Sequence, residues 1–500
     1  MKKRILALIC ALFILLPAIV ACAETNDPVE ENTTAAVVDG PNTNSGDVSE
    51  EVTEYPIPEY KDLNKYVYRQ IVVDNYMWGP VYFAEEGEQN GNVINDALFR
   101  REAFLEEKYN CEIEYTIDSN ALTTLGNHVG SGLDLCEALN LKGTDTMSAA
   151  TNGYVLDIND LEGLNLDCPW WDQRIQKEYL IGEHLFTLEG DYSMLDELRT
   201  ICVVYNKVLY NNYDYNNIYG TPYELVEKNE WTYDTLIQMI KGLTTDPNDE
   251  NGMWGMVSEV SAPYYFFLGM GQKTITNNGG EFTVNIGAES VTNTLQKTME
   301  LVKSPDVMIV NNGKYFGGND VWGNAITVFK SDHALFRSNA LSSVNGLLDM
   351  TSDYGILPVP NNGGSNEYFC YVSGGNHHPL SFPSNLKDVE NAMIITEATA
   401  YFSRFTTSSS NASLRDAFYY MLADYRLARS VEDTAMLDIF FASKTFDVDQ
   451  TAKITGLESA IWSLAKSGTT DAVASTIKNH AIMSARKVEN YINSLAKHYD

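Results

Sequence analysis

Residues 93–117, VINDALFRREAFLEEKYNCEIEYTI, contain the change of period on which the fold turns. Ile94, Ala97, Leu98, Leu105 and Tyr109 recur at helical spacing, and then Cys111, Ile113, Tyr115 and Ile117 alternate with polar residues as a half-buried strand does. An apolar run from Tyr68 to Val73 precedes them, so strand, helix and strand follow one another and predict a parallel pair. Downstream, the run Leu133 to Leu139, a polar Gly/Thr stretch and a helix-like Thr146 to Thr151 continue the alternation.

The pattern restarts at Thr200 to Tyr205, a continuous apolar run of the kind a strand buried on both faces shows, ending in Asn206-Lys207. Thr232 is placed to cap a helix carrying Leu236, Ile237, Ile240 and Leu243. A strand over Met253 to Ser258, a helix over Val291 to Val302 and a strand over Tyr354 to Leu357, stopped by Pro358 and Pro360, complete a second α/β set. Val389 to Tyr401 and Asp471 to Leu495 read as amphipathic helices, the latter with Val473, Ile477, Val488, Ile492 and Leu495 on its apolar side. No internal repeat is visible.

Five hundred residues exceed what one hydrophobic core organises, so two lobes and a tail are expected. With 34 Lys+Arg against 68 Asp+Glu the net charge is -34, which repels phosphate backbones and argues against nucleic-acid binding. Lys2, Lys3 and Arg4, the apolar run Ile5 to Val20 and small residues around Cys22 form an export signal over residues 1–22. Ile19-Val20-Ala21-Cys22 resembles a bacterial lipobox, with Cys22 as the lipidated anchor, while Ala21-Cys22-Ala23 also fits an ordinary cleavage site. Residues 23–60 lack Lys and Arg and are rich in acid, Asn, Thr, Ser, Gly and Pro, the composition of a disordered tether reaching roughly 35 Å. Of the remaining cysteines, Cys111, Cys136, Cys202 and Cys370 sit in strand-like apolar runs; with Cys168 they make an odd number, and mostly free thiols are expected.

Several segments, in their order and spacing, resemble the extracellular solute-binding protein family 1, the sugar-binding group that includes maltose-binding proteins. They are Phe104-Leu-Glu-Glu-Lys-Tyr109, Cys168-Pro-Trp-Trp-Asp172, Gly190-Asp-Tyr-Ser193, Tyr205-Asn-Lys207 and Trp231-Thr-Tyr-Asp234, then Tyr354-Gly-Ile-Leu-Pro-Val-Pro360, Thr455-Gly-Leu457 and Ala474-Ser-Thr-Ile477. The resemblance, from about Tyr60 onward, implies an α/β fold of the periplasmic-binding-protein type II, two lobes joined by a hinge with a ligand cleft between them. It implies a first lobe of residues 61–188 and 366–404 and a second of 189–365 and 405–500, with a first crossing near Phe186 to Ser193. It further implies a monomeric, lipid-anchored protein on the outer face of a bacterial membrane, handing a sugar or oligosaccharide to the transmembrane subunits of an ABC permease, with no cofactor.

A sugar presents hydroxyls that need paired donors and acceptors and flat faces that pack on aromatic rings. Such groups belong after the C-terminal ends of parallel strands. Tyr76, Met77 and Trp78 follow the first strand, and Asn140 to Lys142 follow the run Leu133 to Leu139. Pro263, Tyr264 and Tyr265 follow Met253 to Ser258, and Arg337 to Asn339 follow His333 to Phe336; all four positions match family contact segments. Trp78 and Tyr264 are the candidate stacking platforms, and Asn140 and Arg337 the candidate partners of hydroxyls, because their fixed geometry holds directional hydrogen bonds. Trp170, Trp171 and Trp231 read as packing residues, and Trp322 as either.

Asp246-Pro-Asn-Asp-Glu-Asn-Gly252 imitates a calcium loop, but Asn251 and Val257 stand where Gly and Glu would be needed, so it reads as a solvated turn and no metal site is expected. The sequence has no H-E-x-x-H, no G-x-S-x-G and no P-loop, and His377-His378 beside Pro379 reads as a turn. No catalytic residue is assigned. A secreted glycoside hydrolase is the rival reading, although among 68 acidic residues a carboxylate pair discriminates nothing. A surface glycan-binding protein or sensor not coupled to transport is the other.

Overall fold

The computed structural model describes residues 55–73, 82–316, 320–406, 412–424 and 430–499. Cys22 and most of the tether, together with Trp78, lie outside the described residues.

β1 (Tyr66–Val72) and β2 (Cys111–Ile117) run parallel, with Tyr66 opposite Cys111 and Val72 opposite Ile117. Between them α1 (Val93–Tyr109) starts where the Asn92 side chain accepts from the amides of Ile94 and Asn95, and ends at Asn110 in the left-handed conformation. The face carrying Ile94, Ala97, Leu98, Leu105 and Tyr109 is the buried one, each large side chain contributing about 1.5–3 kcal/mol. α2 (Ala121–Ser131) carries the chain back past β1 to β3 (Ala138–Asn140), parallel to β1 on its other side.

Only Ala138 and Leu139 of the expected Leu133–Leu139 strand pair, and Leu133 and Leu135 are exposed. The cause is Arg69, whose guanidinium takes the Asp134 carbonyl at 2.6 Å and the Glu137 carboxylate at 2.5 Å, bending the approach away from the sheet.

Next come α3 (Gly143–Thr151), α4 (Gln173–Tyr179) and α5 (Leu195–Arg199), before the second sheet opens with β4 (Ile201–Asn206), every residue of which is buried. Three short helices, α6 (Lys207–Asn212), α7 (Tyr215–Ile218) and α8 (Pro222–Glu227), lead to α9 (Tyr233–Ile240). Thr232 caps α9 by accepting from the Thr235 amide at 3.1 Å. β5 (Trp254–Ser258) is followed by α10 (Ala262–Gly269), the hairpin β6 (Ile275–Asn278) and β7 (Glu281–Val284), α11 (Glu289–Met299), β8 (Val307–Ile309), α12 (Val321–Lys330), β9 (Ala334–Ala340) and β10 (Tyr354–Leu357). The sheet order is β10-β4-β9-β5-β8, with β5 parallel to both β8 and β9 and β4 antiparallel to β9.

Two connections pass between the sheets, residues 186–200 outward, which include α5, and 370–382 back. They meet antiparallel at Leu188 and Leu380 and again at Thr200 and Val372. The return stretch contains β11 (Cys370–Tyr371) and β12 (Leu380–Ser381), and β12 joins the edge of the first sheet as β12-β3-β1-β2. α13 (Val389–Arg404), α14 (Leu414–Asp424), α15 (Val431–Ala442), β13 (Lys444–Thr445), α16 (Val448–Ala452), α17 (Leu457–Ser467) and α18 (Val473–Tyr499) complete the chain.

The helices after residue 404, expected with the second lobe, divide between the two. α14 packs on α1 and α13 through its buried Leu414, Ala417 and Phe418, whereas α15 packs on β10. α18 begins against α11 and β7 and ends in the first lobe, where the Tyr499 hydroxyl donates to the Val155 carbonyl at 2.7 Å and the ring lies 4.6 Å from that of Phe186.

Trp170 and Trp171 are fully buried, and both indole N–H groups donate to Glu397, at 3.1 and 2.9 Å. Trp231 is buried too and donates to the Pro358 carbonyl at 2.8 Å, tying the start of α9 to the end of β10. Cys111, Cys136, Cys168, Cys202 and Cys370 are all outside disulfides. In the 246–252 turn, Asp246 and Asp249 each accept the amide two residues on, as a solvated turn does. Among the described residues no helix is long and apolar enough to cross a membrane.

Candidate functional site

In each sheet the connections reverse direction once. From β1 the chain moves to β2 on one side and then to β3 on the other; from β5 it moves to β8 and then back to β9. Ligands of open α/β sheets bind beyond the strand C-termini at such reversals, where diverging loops leave a crevice. At the first reversal lie Val73 and the segment Asn140 to Lys142; at the second lie Glu259 and the end of β9. Thr200 and Arg199 belong to the same edge as the end of β9, because Ile201 pairs with Ala340 and the Leu341 amide donates to the Thr200 carbonyl at 2.9 Å.

Arg199 is the residue in which the two edges meet. Its Nε donates to the Asn376 carbonyl at 3.0 Å, on the return crossing, and its charge acts on Tyr82 and His378 of the first lobe and on Glu259 of the second. Burial brings the Arg199 guanidinium down to about 10. Burial pushes the Glu259 carboxyl up to about 7, against the opposing pull of a Ser261 hydrogen bond, Arg337 and Arg199. His378 is driven the other way, to about 3, by burial and by the positive fields of His377, Arg199 and Lys142, so near neutral pH it is an uncharged imidazole. Its Nδ1 and the Tyr82 hydroxyl are buried without a hydrogen-bond partner. Unpaired polar atoms of this kind cost about 1–3 kcal/mol each, a cost that a ligand hydroxyl would remove.

The Glu259 shift has a sign that can be checked. A carboxyl at about 7 in the native state and at its ordinary 4.5 when unfolded holds more proton native than unfolded between those pH values. Its contribution is fully present below 4.5 and is lost as pH rises through about 7. Glu259→Gln removes this slope, so thermal melts of variant and parent should coincide near pH ~4 and the variant should melt higher near pH ~8. A constant difference across that range would refute the shift.

Beneath this edge the crossings are locked. Asn140 is fully buried at the end of β3, accepts from the Gln70 side-chain amide, and donates to the His378 carbonyl at 2.8 Å and the Tyr192 hydroxyl at 2.9 Å. His377 Nδ1 meets Glu189 Oε1 at 2.7 Å, so the two crossings are joined by a buried imidazole and carboxyl. The His377-His378 pair, read from the sequence as a turn, is buried. Gly143 and Gly374 approach each other there; a Cβ on Gly143 would lie 2.3 Å from the Gly374 carbonyl, so neither position has room for a side chain.

Two of the four residues expected to touch ligand lie at the facing edges. Asn140, expected just after its strand, is the last residue of β3, with its side chain committed inward. Arg337 does not follow its strand, as the apolar run suggested, but sits within β9, because Ser338 continues the strand inward by hydrogen bonding Ser258 and Tyr265, each at 2.7 Å. Arg337 Nη1 donates to Ser343 Oγ at 2.9 Å beside Glu259. Tyr264 faces into α10 with 3 % of its surface exposed, its ring 5.6 Å from Phe267, and so offers no open stacking face. Trp78 belongs to 74–81, outside the described residues.

Tyr82, Arg199, Glu259 and His378 went unrecognised in the sequence. They share no local signal: Glu259 follows β5 directly, Arg199 is the last residue of α5, and Tyr82 and His378 lie in connecting segments, so only the topology brings them to one edge. Among the described residues, several cavities lie away from this edge. One of about 460 Å³ behind the crossings is lined by Trp170, Trp171, Asp196, Glu197, Tyr419 and Lys444, and one of about 710 Å³ lies by the β6–β7 hairpin.

No family profile matches the chain, and no curated protein matches it by sequence. Among solved structures the chain is similar to a cyclo/maltodextrin-binding protein complexed with maltotetraose, at 14 % identity over 86 % of this chain and 96 % of that one, TM-score 0.53. It is similar also to the ABC substrate-binding protein Lmo0181 from Listeria monocytogenes in complex with cycloalternan, at 12 % identity over 86 % and 99 %, TM-score 0.52. With sheets, crossings and facing strand ends as described, the chain has the two-lobed α/β fold of these substrate-binding proteins.

Proposed function

We propose that this chain is an exported, lipid-anchored substrate-binding protein that captures a sugar or oligosaccharide between its lobes and passes it, unaltered, to an ABC permease. The observation that carries the reading is the meeting of Arg199, Glu259, Tyr82 and His378 where the two topological reversals face each other. A half-protonated carboxyl both donates and accepts, a neutral imidazole does the same, and guanidinium and phenol donate, which together is what sugar hydroxyls require. The saccharides in both structural neighbours support the same ligand class. In this reading Arg337 touches ligand, Asn140 holds the His378 carbonyl, Trp78 supplies the stacking ring, and Cys22 carries the lipid. Tyr264, buried as it is, packs behind the site.

Ligand contacting both lobes favours their closed arrangement in proportion to its extra affinity for that state. A thermal-shift screen over mono- and oligosaccharides should therefore find a ligand that raises the melting temperature, since binding to the native state alone stabilises it. That ligand should come back uncleaved, and small-angle scattering should show compaction on binding. Cleavage would establish a hydrolase instead, and binding without compaction would remove hinge closure from the scheme.

A further inference from the structure

The cavity of about 710 Å³ beside the β6–β7 hairpin has the size of a small-molecule site, and its walls are separate from the edge where the lobes meet. α4 forms one wall, and the hairpin, the end of α10 and the start of α11 form another. Phe369, immediately before the return crossing, forms a third.

The hairpin is clasped to α4 and the turn after it. Asn277 Nδ2 donates to the Glu178 and Leu180 carbonyls at 2.8 and 2.6 Å, its Oδ1 accepts from the Gly280 amide at 2.8 Å, and the Gly182 amide donates to the Gly280 carbonyl at 3.0 Å. Gly280 has φ of +94°, and a Cβ there would overlap the Gly182 carbonyl, so the tip closes this tightly only as glycine. The walls are thus set before any ligand arrives.

Asn277 is fully engaged in the clasp, and Glu178 and Lys273 neutralise each other at 2.5 Å. The Gln272 amide, the Ser290 hydroxyl and the Oδ1 atoms of Asn278 and Asn285 line the same space without a hydrogen-bond partner among the described residues. Water can serve such groups, so by themselves they assign nothing. The ring among them does. Phe369 is half-buried and packs on no other aromatic ring among the described residues. Gly271 beside it has φ of +73°, and a Cβ there would come within 3.1 Å of the ring, so glycine leaves Phe369 uncovered on that side. A sugar has a flat C–H face for such a ring and hydroxyls for the amides around it, whereas a purely apolar ligand would strand the amides.

We propose that this cavity is a second saccharide site, in which Phe369 stacks on one neutral sugar ring while Gln272, Asn278, Asn285 and Ser290 pair with its hydroxyls. It stands independently of capture between the lobes.

Calorimetric titration of the full chain with maltotriose, cellotriose and xylotriose tests it. At least one probe should bind at a site that Phe369→Ala weakens about tenfold or more and Gln272→Ala about threefold, the latter a side chain with no hydrogen bond to lose in the free protein. Arg337→Gln should leave that binding unaltered, which separates it from the interlobe edge, and thermal melts of the free variants confirm folding. Binding that falls in Arg337→Gln and is unchanged in both cavity variants would overturn the second site and leave interlobe capture standing. Binding that falls in Phe369→Ala but not in Gln272→Ala would report damage to the adjoining crossing and overturn it too. Failure of all three probes to bind would overturn the second site, the interlobe reading being decided by the wider saccharide screen.

Discussion

Replacing Lys444 by Met should lower the stability of the folded chain by about 3–5 kcal/mol, the range seen when one member of a buried charge cluster is removed. Lys444 is 4 % exposed at its side chain and lies 2.7 Å from Glu197, 3.1 Å from Asp172 and in contact with Asp196. Without it Asp196 and Glu197 are left buried with no ammonium between them, and Asp172 keeps Arg174 as its partner. Burial and the neighbouring Glu197 already raise Asp196 well above the ordinary carboxylate range. The cost of the substitution should therefore shrink as pH falls and the freed carboxylates protonate, and grow as pH rises. Denaturant unfolding of parent and variant at several pH values measures this. A pH-independent loss, or one below ~1 kcal/mol, would mean that the cluster does not hold β13 to the outward crossing.

Arg101→Met should be nearly as severe, costing about 3 kcal/mol, and should act on ligand as well. The guanidinium is 2 % exposed and donates from Nη1 to the Tyr192 carbonyl at 2.8 Å and the Ser403 hydroxyl at 2.9 Å, and from Nη2 to the Tyr82 carbonyl at 2.7 Å. One side chain of α1 thus fixes both the segment that opens into the site and the crossing beside it. Met fills much of the volume and supplies no donor, so both carbonyls are left buried and unpaired. Affinity for whichever saccharide binds should fall about tenfold beyond any loss explained by unfolding, because Tyr82 and Tyr192 lose their common anchor. Arg101→Lys should recover little of either effect, since an ammonium cannot span the same fork of acceptors. Normal affinity in a folded Arg101→Met chain would show that these positions do not depend on it.

The fold was legible wherever periodicity reports burial. Cys111, Ile113, Tyr115 and Ile117 alternate because β2 is the edge of its sheet and half covered, whereas Ile201 to Tyr205 are apolar without interruption because β4 has neighbours on both sides. Legibility failed where a polar side chain is internal. Ser338 and Arg337 ended the apolar count at Phe336, yet β9 continues to Ala340 because Ser338 finds two hydroxyls inside. The opposite error came at Leu133 and Leu135, apolar but exposed because a guanidinium competes for the backbone. Of the site, Asn140 was within reach because it ends β3, and Arg337 because the apolar run before it breaks off at Phe336, although β9 continues past it. Tyr82, Arg199, Glu259 and His378 come from four segments far apart in sequence, and nothing local distinguishes an Arg that ends α5 from any other surface Arg.

α18 adds a mechanical constraint. Its 27 residues make a rod about 40 Å long, gripped at one end by α11 and β7 and at the other by the Tyr499 contact with Val155 and Phe186. A rod fixed at both ends transmits thrust, so the two halves cannot slide past each other along its axis without tearing one grip loose. α3 packs along the last turns of the rod, so relative motion of the halves is steered toward rotation near that end and away from sliding.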